Sequence, residues 1–370
     1  MDPNVIKLAM GAGGPSGPQY KLYTWGWNFF GQLGLSLSTA TNRSSPSQVG
    51  LLSNWSEIEI DYFALSVKTD GTLWSWGYNG YGQLGIGNTT NYSSPKQVGA
   101  LTDWSKVFVS GNAFSFAIKT NGTLWSWGRG SYGTLAQNSG SRSSPSQIGS
   151  DTNWSTVSLG TWGGVAIKTN GTLWAWGRNQ YGQIGDGTRT TRLSPVQIGS
   201  QTNWASVSQA LSSTFAIKTD GTLWSWGNND YGQLGDSTTN KRSSPVQVGS
   251  LTNWSKISTG GQMCVAVKTD GTLWSWGVNN GGQLGIGNTT NYSSPKQVGA
   301  LTNWSTARAG NVFSVALKTD KTMWAWGSNG QGSLGTGNTT SYSSPVQVGL
   351  ATNWIKISAG GSASAAISES

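Results

Sequence analysis

Residues 253–299 read NWSKISTGGQMCVAVKTDGTLWSWGVNNGGQLGIGNTTNYSSPKQVG, and four short segments within them have the composition of β-strands. These segments are residues 254–259, 263–268, 272–276 and 295–298. An Asp-Gly pair joins the second to the third, and Asp-Gly between two apolar runs is a hairpin signal. Proline at the first position of the fourth segment suits an edge strand, because proline cannot donate a ladder hydrogen bond. The stretch therefore predicts a four-stranded antiparallel sheet.

Three markers of this sheet recur at a nearly constant interval, one set in each of seven repeats, and the Trp-Gly pairs that end the third segments are 49 to 51 residues apart. The Trp-Gly markers are Trp25, Trp76, Trp127, Trp176, Trp226, Trp276 and Trp326. The Asn-Trp or Asp-Trp markers are Trp55, Trp104, Trp154, Trp204, Trp254, Trp304 and Trp354, and a Ser-Pro pair follows in each repeat. Repeats of four antiparallel strands are typical of propellers. We therefore predict an all-β fold, a seven-bladed β-propeller of four-stranded blades.

The two ends of the chain are expected to share one blade. The last repeat stops after its second strand, residues 365–368, whereas residues 20–25 (YKLYTW) align with the third strand of the other repeats. Pairing of this N-terminal strand with the C-terminal blade would remove two open sheet edges. We therefore predict one propeller over residues 20–370, preceded by residues 1–19 as a Gly-containing tail or linker.

The repeat resembles that of the regulator of chromosome condensation family. Its Trp-Gly is followed by Gly-Gln-Leu-Gly, as at residues 82–85, 232–235 and 282–285, and then by Pro-x-Gln-Val, and the pattern recurs across residues 20–370. The resemblance implies a seven-bladed propeller that binds proteins, as the GTPase-exchange and β-lactamase-inhibitor members do. The Ran exchange factor of this family carries a protruding insertion, and repeats of such uniform length leave no room for one. The resemblance therefore does not imply Ran exchange activity.

The composition favours a binding protein over an enzyme. The chain has no histidine, and Cys264 is its only cysteine, which excludes histidine-based triads and the usual zinc sites. The net charge is +9, but the basic residues are spread over the repeats, which argues against nucleic acid as the partner. No apolar stretch reaches the roughly 18 residues of a membrane span. We expect no catalysis, no cofactor, no metal and no membrane span.

The surface composition and the N-terminus suggest where the protein is found. The body is rich in Ser, Thr, Asn and Gly and contains twelve Asn-x-Ser/Thr sequons, yet the first residues do not have the pattern of a signal peptide. A phage virion protein released by lysis fits both observations. Its tail would then contact other virion proteins, and its propeller a host-surface glycan or protein. The alternative is a cytoplasmic protein–protein interaction propeller.

Candidate binding residues occupy positions where near-identical repeats differ. The residue after Trp-Gly is Trp27, Tyr78, Arg129 or Arg178 in four repeats, and Trp162 has no counterpart in the others. Aromatic and arginine side chains supply most of the energy at interface hot spots. These five residues are therefore the predicted binding residues, although neutral variation at exposed positions would produce the same scatter.

Two further sets of residues have competing interpretations. A lysine occupies one register in six repeats, and would form either a polyanion-binding rim or a solubilising surface: Lys68, Lys119, Lys168, Lys218, Lys268 and Lys318. Glu57, Glu59 and Asp61 alternate along one strand and are expected to share a face. Such a group would act as a catalytic pair, hold a cation, or do neither.

Overall fold

The computed structural model describes residues 18–36, 41–137 and 140–370. Residues 1–17 of the predicted tail lie outside the described residues. The described residues form 28 strands in seven four-stranded antiparallel sheets, which confirms the predicted propeller. No helix in this part of the chain has the length and apolarity to cross a membrane.

Each blade has the same strand order from the centre of the ring outwards, and strands are numbered along the chain. For blades 1 to 7 in turn, the innermost strands are β3 (Trp55–Ile60), β7 (Trp104–Ser110), β11 (Trp154–Gly160), β15 (Trp204–Ala210), β19 (Trp254–Gly260), β23 (Trp304–Ala309) and β27 (Trp354–Ala359). The second strands are β4 (Phe63–Lys68), β8 (Phe114–Lys119), β12 (Gly163–Lys168), β16 (Ser213–Lys218), β20 (Met263–Lys268), β24 (Phe313–Lys318) and β28 (Ala363–Glu369). The third strands are β5 (Leu73–Gly77), β9 (Leu124–Gly128), β13 (Leu173–Gly177), β17 (Leu223–Gly227), β21 (Leu273–Gly277), β25 (Met323–Gly327) and β1 (Tyr20–Gly26). The outermost strands are β6 (Tyr92–Gln97), β10 (Arg142–Gln147), β14 (Arg192–Gln197), β18 (Arg242–Gln247), β22 (Tyr292–Gln297), β26 (Tyr342–Gln347) and β2 (Arg43–Gln48).

The ring is closed by strands from both ends of the chain, as predicted. β1 pairs with β28 in an unbroken antiparallel register from Tyr20 opposite Glu369 to Gly26 opposite Ala363. β2 then pairs with β1, so the N-terminal region supplies two strands of blade 7 rather than one. The closure leaves no blade with an unpaired inner strand.

The predicted start of the outermost strand is wrong by three residues. β22 begins at Tyr292, so Pro295 is its fourth residue. The register between β21 and β22 shifts between Ser275 and Gly277, and Pro295 is not part of the paired register. A bulge at an edge strand accommodates a residue that cannot donate a ladder hydrogen bond.

The Trp-Gly tryptophans join neighbouring blades. All seven are fully buried. Trp127 Nε1 donates a hydrogen bond to the backbone oxygen of Gln83 in the preceding blade, at 2.8 Å. Gly85 has a φ of +74°, and a Cβ there would lie 2.7 Å from that indole nitrogen. The Gly-Gln-Leu-Gly motif is therefore explained by the close approach of the next blade's tryptophan.

The six aligned lysines fit neither predicted role. Each is only 6% to 8% exposed, so they form neither a rim for polyanions nor a soluble surface. Lys268 Nζ lies 3.9 Å from the ring centroid of Trp274 and 4.8 Å from that of Trp254. Burial lowers the pKa of Lys268. These lysines instead make cation–π contacts inside blades 1 to 6.

Candidate functional site

The predicted binding residues all lie on one face of the ring. In every blade, the turn between the first two strands and the loop between the third and fourth strands emerge at the same end, because the strands are antiparallel. We call this end the loop face. Trp27, Tyr78, Arg129 and Arg178 follow third strands, and Trp162 lies between β11 and β12. All five side chains are partly exposed.

An aromatic cluster occupies blades 7 and 1 of the loop face. Trp27 packs edge-to-face against Phe30 and Tyr62, with ring centroids 5.5 and 5.6 Å apart. Phe30 in turn lies 4.6 Å from Tyr78. Phe29 stacks on Trp27 and is 54% exposed. Two of the predicted residues, Trp27 and Tyr78, are thus joined through Phe30.

A cationic cluster continues the surface across blades 2 and 3. The guanidinium carbons of Arg129 and Arg178 lie 5.9 and 5.4 Å from the Trp162 ring centroid. Tyr132, 54% exposed, packs edge-to-face on Trp162 and also contacts the guanidinium of Arg178. Arg129 Nη1 donates a hydrogen bond to Asn112 Oδ1 at 2.9 Å. Within the described ranges, neither arginine forms an ion pair with a carboxylate.

Tyr81 connects the two clusters into one surface. Its ring centroid lies 6.5 Å from that of Tyr78 and 5.0 Å from the guanidinium carbon of Arg129. All five predicted residues are thereby linked through successive side-chain contacts. We call the whole set the arc: Trp27, Phe29, Phe30, Tyr62, Tyr78, Tyr81, Arg129, Tyr132, Trp162 and Arg178.

Five of the ten arc residues were not predicted from the sequence. Phe30, Tyr81 and Tyr132 share the fourth position after the Trp-Gly glycine, which is Tyr181 and Tyr231 in blades 3 and 4, Gly281 in blade 5 and Gln331 in blade 6. Because five of the seven blades carry an aromatic residue there, variation at that position did not single out these three. Phe29 and Tyr62 join the arc through their contacts with Trp27, which the sequence does not show.

A buried asparagine fixes the arc loops of blades 7, 1 and 3, whereas blade 2 has Gly130 at that position and its Thr134 Oγ1 donates to the Arg129 oxygen instead. In blade 1, fully buried Asn79 accepts a hydrogen bond from the Leu84 amide and donates to the backbone oxygens of Asn88 and Thr90. Asn279 of blade 5 accepts the equivalent bond from Leu284. The same scaffold therefore presents different side chains in different blades, and ordering the loop adds little entropic cost on binding.

A polar channel of about 820 Å³ runs through the centre of the ring and is lined by the innermost strands. Adjacent inner strands are joined across the blade boundaries. For example, the backbone amide of Gln209 donates a hydrogen bond to Ser158 Oγ at 2.8 Å. Tyr62 and Asn112 lie both at the channel wall and against arc residues. The arc therefore borders the mouth of the channel.

Glu59 and Asp61 of the predicted acidic group line this channel. Glu57 and Glu59 face β27 as a shared face requires, but Asp61 lies one residue beyond the end of β3, so the prediction that all three share one strand is wrong for Asp61. Glu57 pairs with Lys356, and Glu59 accepts a hydrogen bond from Ser358 Oγ at 2.8 Å. Burial raises the pKa of Glu59, an effect that nearby Arg308 partly offsets. Burial raises the pKa of Asp61 to about 6, opposed by hydrogen bonds from the backbone amides of Gly361 and Tyr62.

The carboxylates are bound to neighbouring side chains and backbone rather than arranged around a common point. Among the described residues, no group of three or more His, Cys, Asp or Glu side chains is placed to hold a metal ion. Cys264, the one cysteine, is fully buried in the core, and burial raises its pKa well above the usual range.

Comparison with known proteins agrees with this architecture. The family model of the RCC1-like domain matches residues 108–366, and that of the regulator of chromosome condensation (RCC1) repeat matches residues 21–60 and 70–118. A search of curated proteins finds no match.

Among solved structures, human WBSCR16 is similar at 21% identity and a TM-score of 0.85, covering 94% of this chain and 98% of its own. Prp20p from Saccharomyces cerevisiae, described with its binding properties to Gsp1p and histones, is similar at 20% identity and a TM-score of 0.82, covering 95% and 91%. Yeast RCC1 (Prp20) bound to Kap60 gives 20% identity and a TM-score of 0.82, covering 95% and 89%. These likenesses show the fold. The domain match, which spans more than half of the chain, establishes that this chain belongs to the RCC1-like domain family.

Proposed function

We propose that this RCC1-type propeller is a non-enzymatic binding protein that recognises its partner through the arc. The observation that carries the proposal is the continuity of the arc: Trp27, Tyr78, Arg129, Trp162 and Arg178 are linked by contacts of 6.5 Å or less. Blades 4 to 6 carry Asn228, Val278 and Ser328 at the position after Trp-Gly. Recognition is therefore concentrated on one side of the ring.

The chemistry of the arc supports binding. Tryptophan, tyrosine and arginine contribute large contact areas at low conformational cost, and they dominate interface hot spots. Because Arg129 and Arg178 are held against Trp162, little side-chain freedom remains to be lost on association. The acidic group supports the non-enzymatic assignment, since Glu57 and Glu59 are already engaged by Lys356 and Ser358.

Each arc residue can be tested separately by alanine substitution. Alanine at a true hot spot among Trp27, Tyr78, Arg129, Trp162 and Arg178 is expected to cost about 2 kcal/mol of binding, or about thirtyfold in affinity. Binding to host cells or to the assembled particle is measured beside a melting curve for each variant. Normal binding by all five variants, or loss only through unfolding, would contradict the proposal.

We further propose that the propeller is displayed on a phage virion, for attachment or decoration, with residues 1–19 as its tether to other virion proteins. The Ser-, Thr-, Asn- and Gly-rich composition and the low charged fraction of 10% support a surface-displayed body. A host-surface glycan or protein would then be the partner. The alternative, a cytoplasmic protein–protein interaction propeller, is supported by the fold shared with Prp20p, which has binding properties to Gsp1p and histones.

Mass spectrometry of purified particles separates these two proposals. A virion protein is expected to co-purify with particles through a density gradient at constant stoichiometry. Recovery solely in the soluble fraction of lysed cells would contradict virion display and favour the cellular alternative.

A further inference from the structure

We infer that the arc binds an oligosaccharide in which an acidic sugar lies beside neutral ones. The acidic group would pair with Arg129 and Arg178, and neutral rings would stack along the aromatic cluster from Tyr81 to Trp27. The inference rests on the proposed binding role of the arc, and adds the chemical class of its partner.

The cationic cluster provides the charge complementarity. The guanidinium groups of Arg129 and Arg178 both lie against the Trp162 indole. Two other arginines are neutralised locally: Arg192 pairs with Asp186 at 2.6 Å and Arg242 with Asp236 at 2.9 Å. Arg129 and Arg178 have no such carboxylate in the part of the chain that the structure describes, and neither have Arg43, Arg142, Arg189 and Arg308. Among these described arginines, Arg129 and Arg178 are the two that make cation–π contacts. Arginine binds carboxylate and phosphate groups through paired, charge-assisted hydrogen bonds, so this cluster suits an anionic group.

The aromatic cluster provides the neutral part of the site. Phe29 and Tyr81 are 54% and 39% exposed, and ring contacts run from Trp27 through Phe30 and Tyr78 to Tyr81, with Phe29 and Tyr62 beside this path. No lysine or arginine has a cation–π contact with Trp27, Phe30 or Tyr78 among the described residues. Sugar rings present C–H groups that pack on aromatic faces, and a linear path of rings matches a linear chain of sugars.

The distribution of charge separates this partner from nucleic acid. Single-stranded nucleic acids also stack on aromatic side chains, but they carry a phosphate at every nucleotide and need basic residues along the whole path. Here the cation–π contacts to rings of the arc are made by Arg129 and Arg178, at one end of the path. A polymer with sparse acidic groups therefore fits better than one that is charged throughout.

The test is isothermal titration calorimetry of the full chain with matched oligosaccharide pairs. Probes are a sialylated oligosaccharide and its desialylated form, a hyaluronate oligosaccharide and its carboxyl-reduced form, and oligothymidylate. In at least one of the two oligosaccharide pairs, we expect the acidic member to bind about tenfold or more tightly than its neutral counterpart. A difference of this size is what one charge-assisted hydrogen bond contributes.

Other blades of the chain supply substitutions that the same loop scaffold already carries. R178V and R129N introduce the residues that blades 5 and 4 hold at the same position, Val278 and Asn228. Both are expected to lose the preference for the acidic member, and W162Q, which copies Gln262 of blade 5, to lose binding to both members. K296S removes one positive charge from the outer strand of blade 5 and is expected to bind like the wild type.

Several results would overturn the inference. Equal binding of acidic and neutral members, tighter binding of oligothymidylate, or an equal loss in K296S would each exclude a specific acidic-sugar site. If no acidic probe binds while arc variants still lose binding to host cells or particles, the partner is a protein, and only the sugar assignment fails. If arc variants bind host cells and particles normally, the proposed function itself fails.

Discussion

At the scale of single residues, the arc arises from substitutions on a fixed backbone. The Tyr78 amide donates to the Tyr62 oxygen at 3.0 Å, and the Val278 amide donates to the Gln262 oxygen at 3.1 Å. The local hydrogen bonding is thus the same whether the loop carries aromatic or aliphatic side chains. Arc residues can therefore be exchanged for those of another blade with little effect on the scaffold.

Asp61 gives a prediction about pH and stability. Its folded pKa is raised from 3.8 to about 6, so the stabilisation from its protonated form is complete below pH 3.8 and lost as the pH rises through 6. D61N removes the cost of the buried charge. It is expected to be more stable than the wild type at pH 8 by about 1–3 kcal/mol, and the difference should close below pH 4.

D270N is the control for D61N. Urea unfolding at pH 4, 6 and 8 gives the free energy of unfolding of each protein. Hydrogen bonds from Thr272 lower the pKa of Asp270, so its stabilisation is present above the unfolded pKa and lost in acid. Asn170 occupies the same turn position in blade 3, and the fold accepts it. At pH 8, D270N should therefore be less stable than the wild type, which is the opposite of the change expected for D61N. A D61N protein no more stable than the wild type at pH 8 would refute the assignment.

At the scale of strands and loops, the sequence predicted most of the architecture because its markers repeat. The second strand of blade 5 and the pairing of the two chain ends are confirmed. The start of the fourth strand was missed because a bulge places Pro295 inside it. The burial of Lys268 was missed because strand register, rather than local sequence, places Trp254 opposite it.

Ring closure predicts unequal effects of two truncations. Deleting residues 1–26 removes β1, exposes an edge of β28 and is expected to lower the melting temperature markedly. Deleting residues 1–12 keeps Tyr20–Gly26 and is expected to have little effect. Differential scanning calorimetry compares the two proteins, and equal melting temperatures would contradict the role of β1 in closure.

At the scale of the whole molecule, the proposed site was located from the positions that vary between repeats. Trp27, Tyr78, Arg129, Trp162 and Arg178 were selected because they differ between blades, and the structure places them on one face, linked through Phe30 and Tyr81. The connecting residue Tyr81 could not be identified from one repeat, because its partner Arg129 belongs to the next blade. The partner that the arc binds remains a prediction.

The uniform blades also predict what the propeller does not do. Successive Trp-Gly markers differ in spacing by at most two residues, so no repeat contains a protruding insertion of the kind found in the Ran exchange factor. We expect no acceleration of nucleotide release from a Ran-type GTPase in a fluorescence assay. Clear acceleration would show that the propeller faces suffice for exchange.

The measurement that tests the arc most directly is the binding of a blade 1 loop replaced by its blade 5 equivalent, Y78V/G80N/Y81G. The substitutions at residues 78 and 80 belong together sterically. A Cβ on Gly80 would lie 2.4 Å from the Tyr78 hydroxyl, and Y78V removes that hydroxyl. V278Y/N280G, which adds an aromatic ring outside the arc and the glycine that accompanies it in blade 1, is the control. Binding to host cells and to assembled particles is measured with a melting curve for each protein. We predict that the triple variant keeps the wild-type melting temperature and loses binding by about thirtyfold or more, whereas V278Y/N280G binds normally. Wild-type binding by a folded triple variant would contradict the arc as the recognition surface.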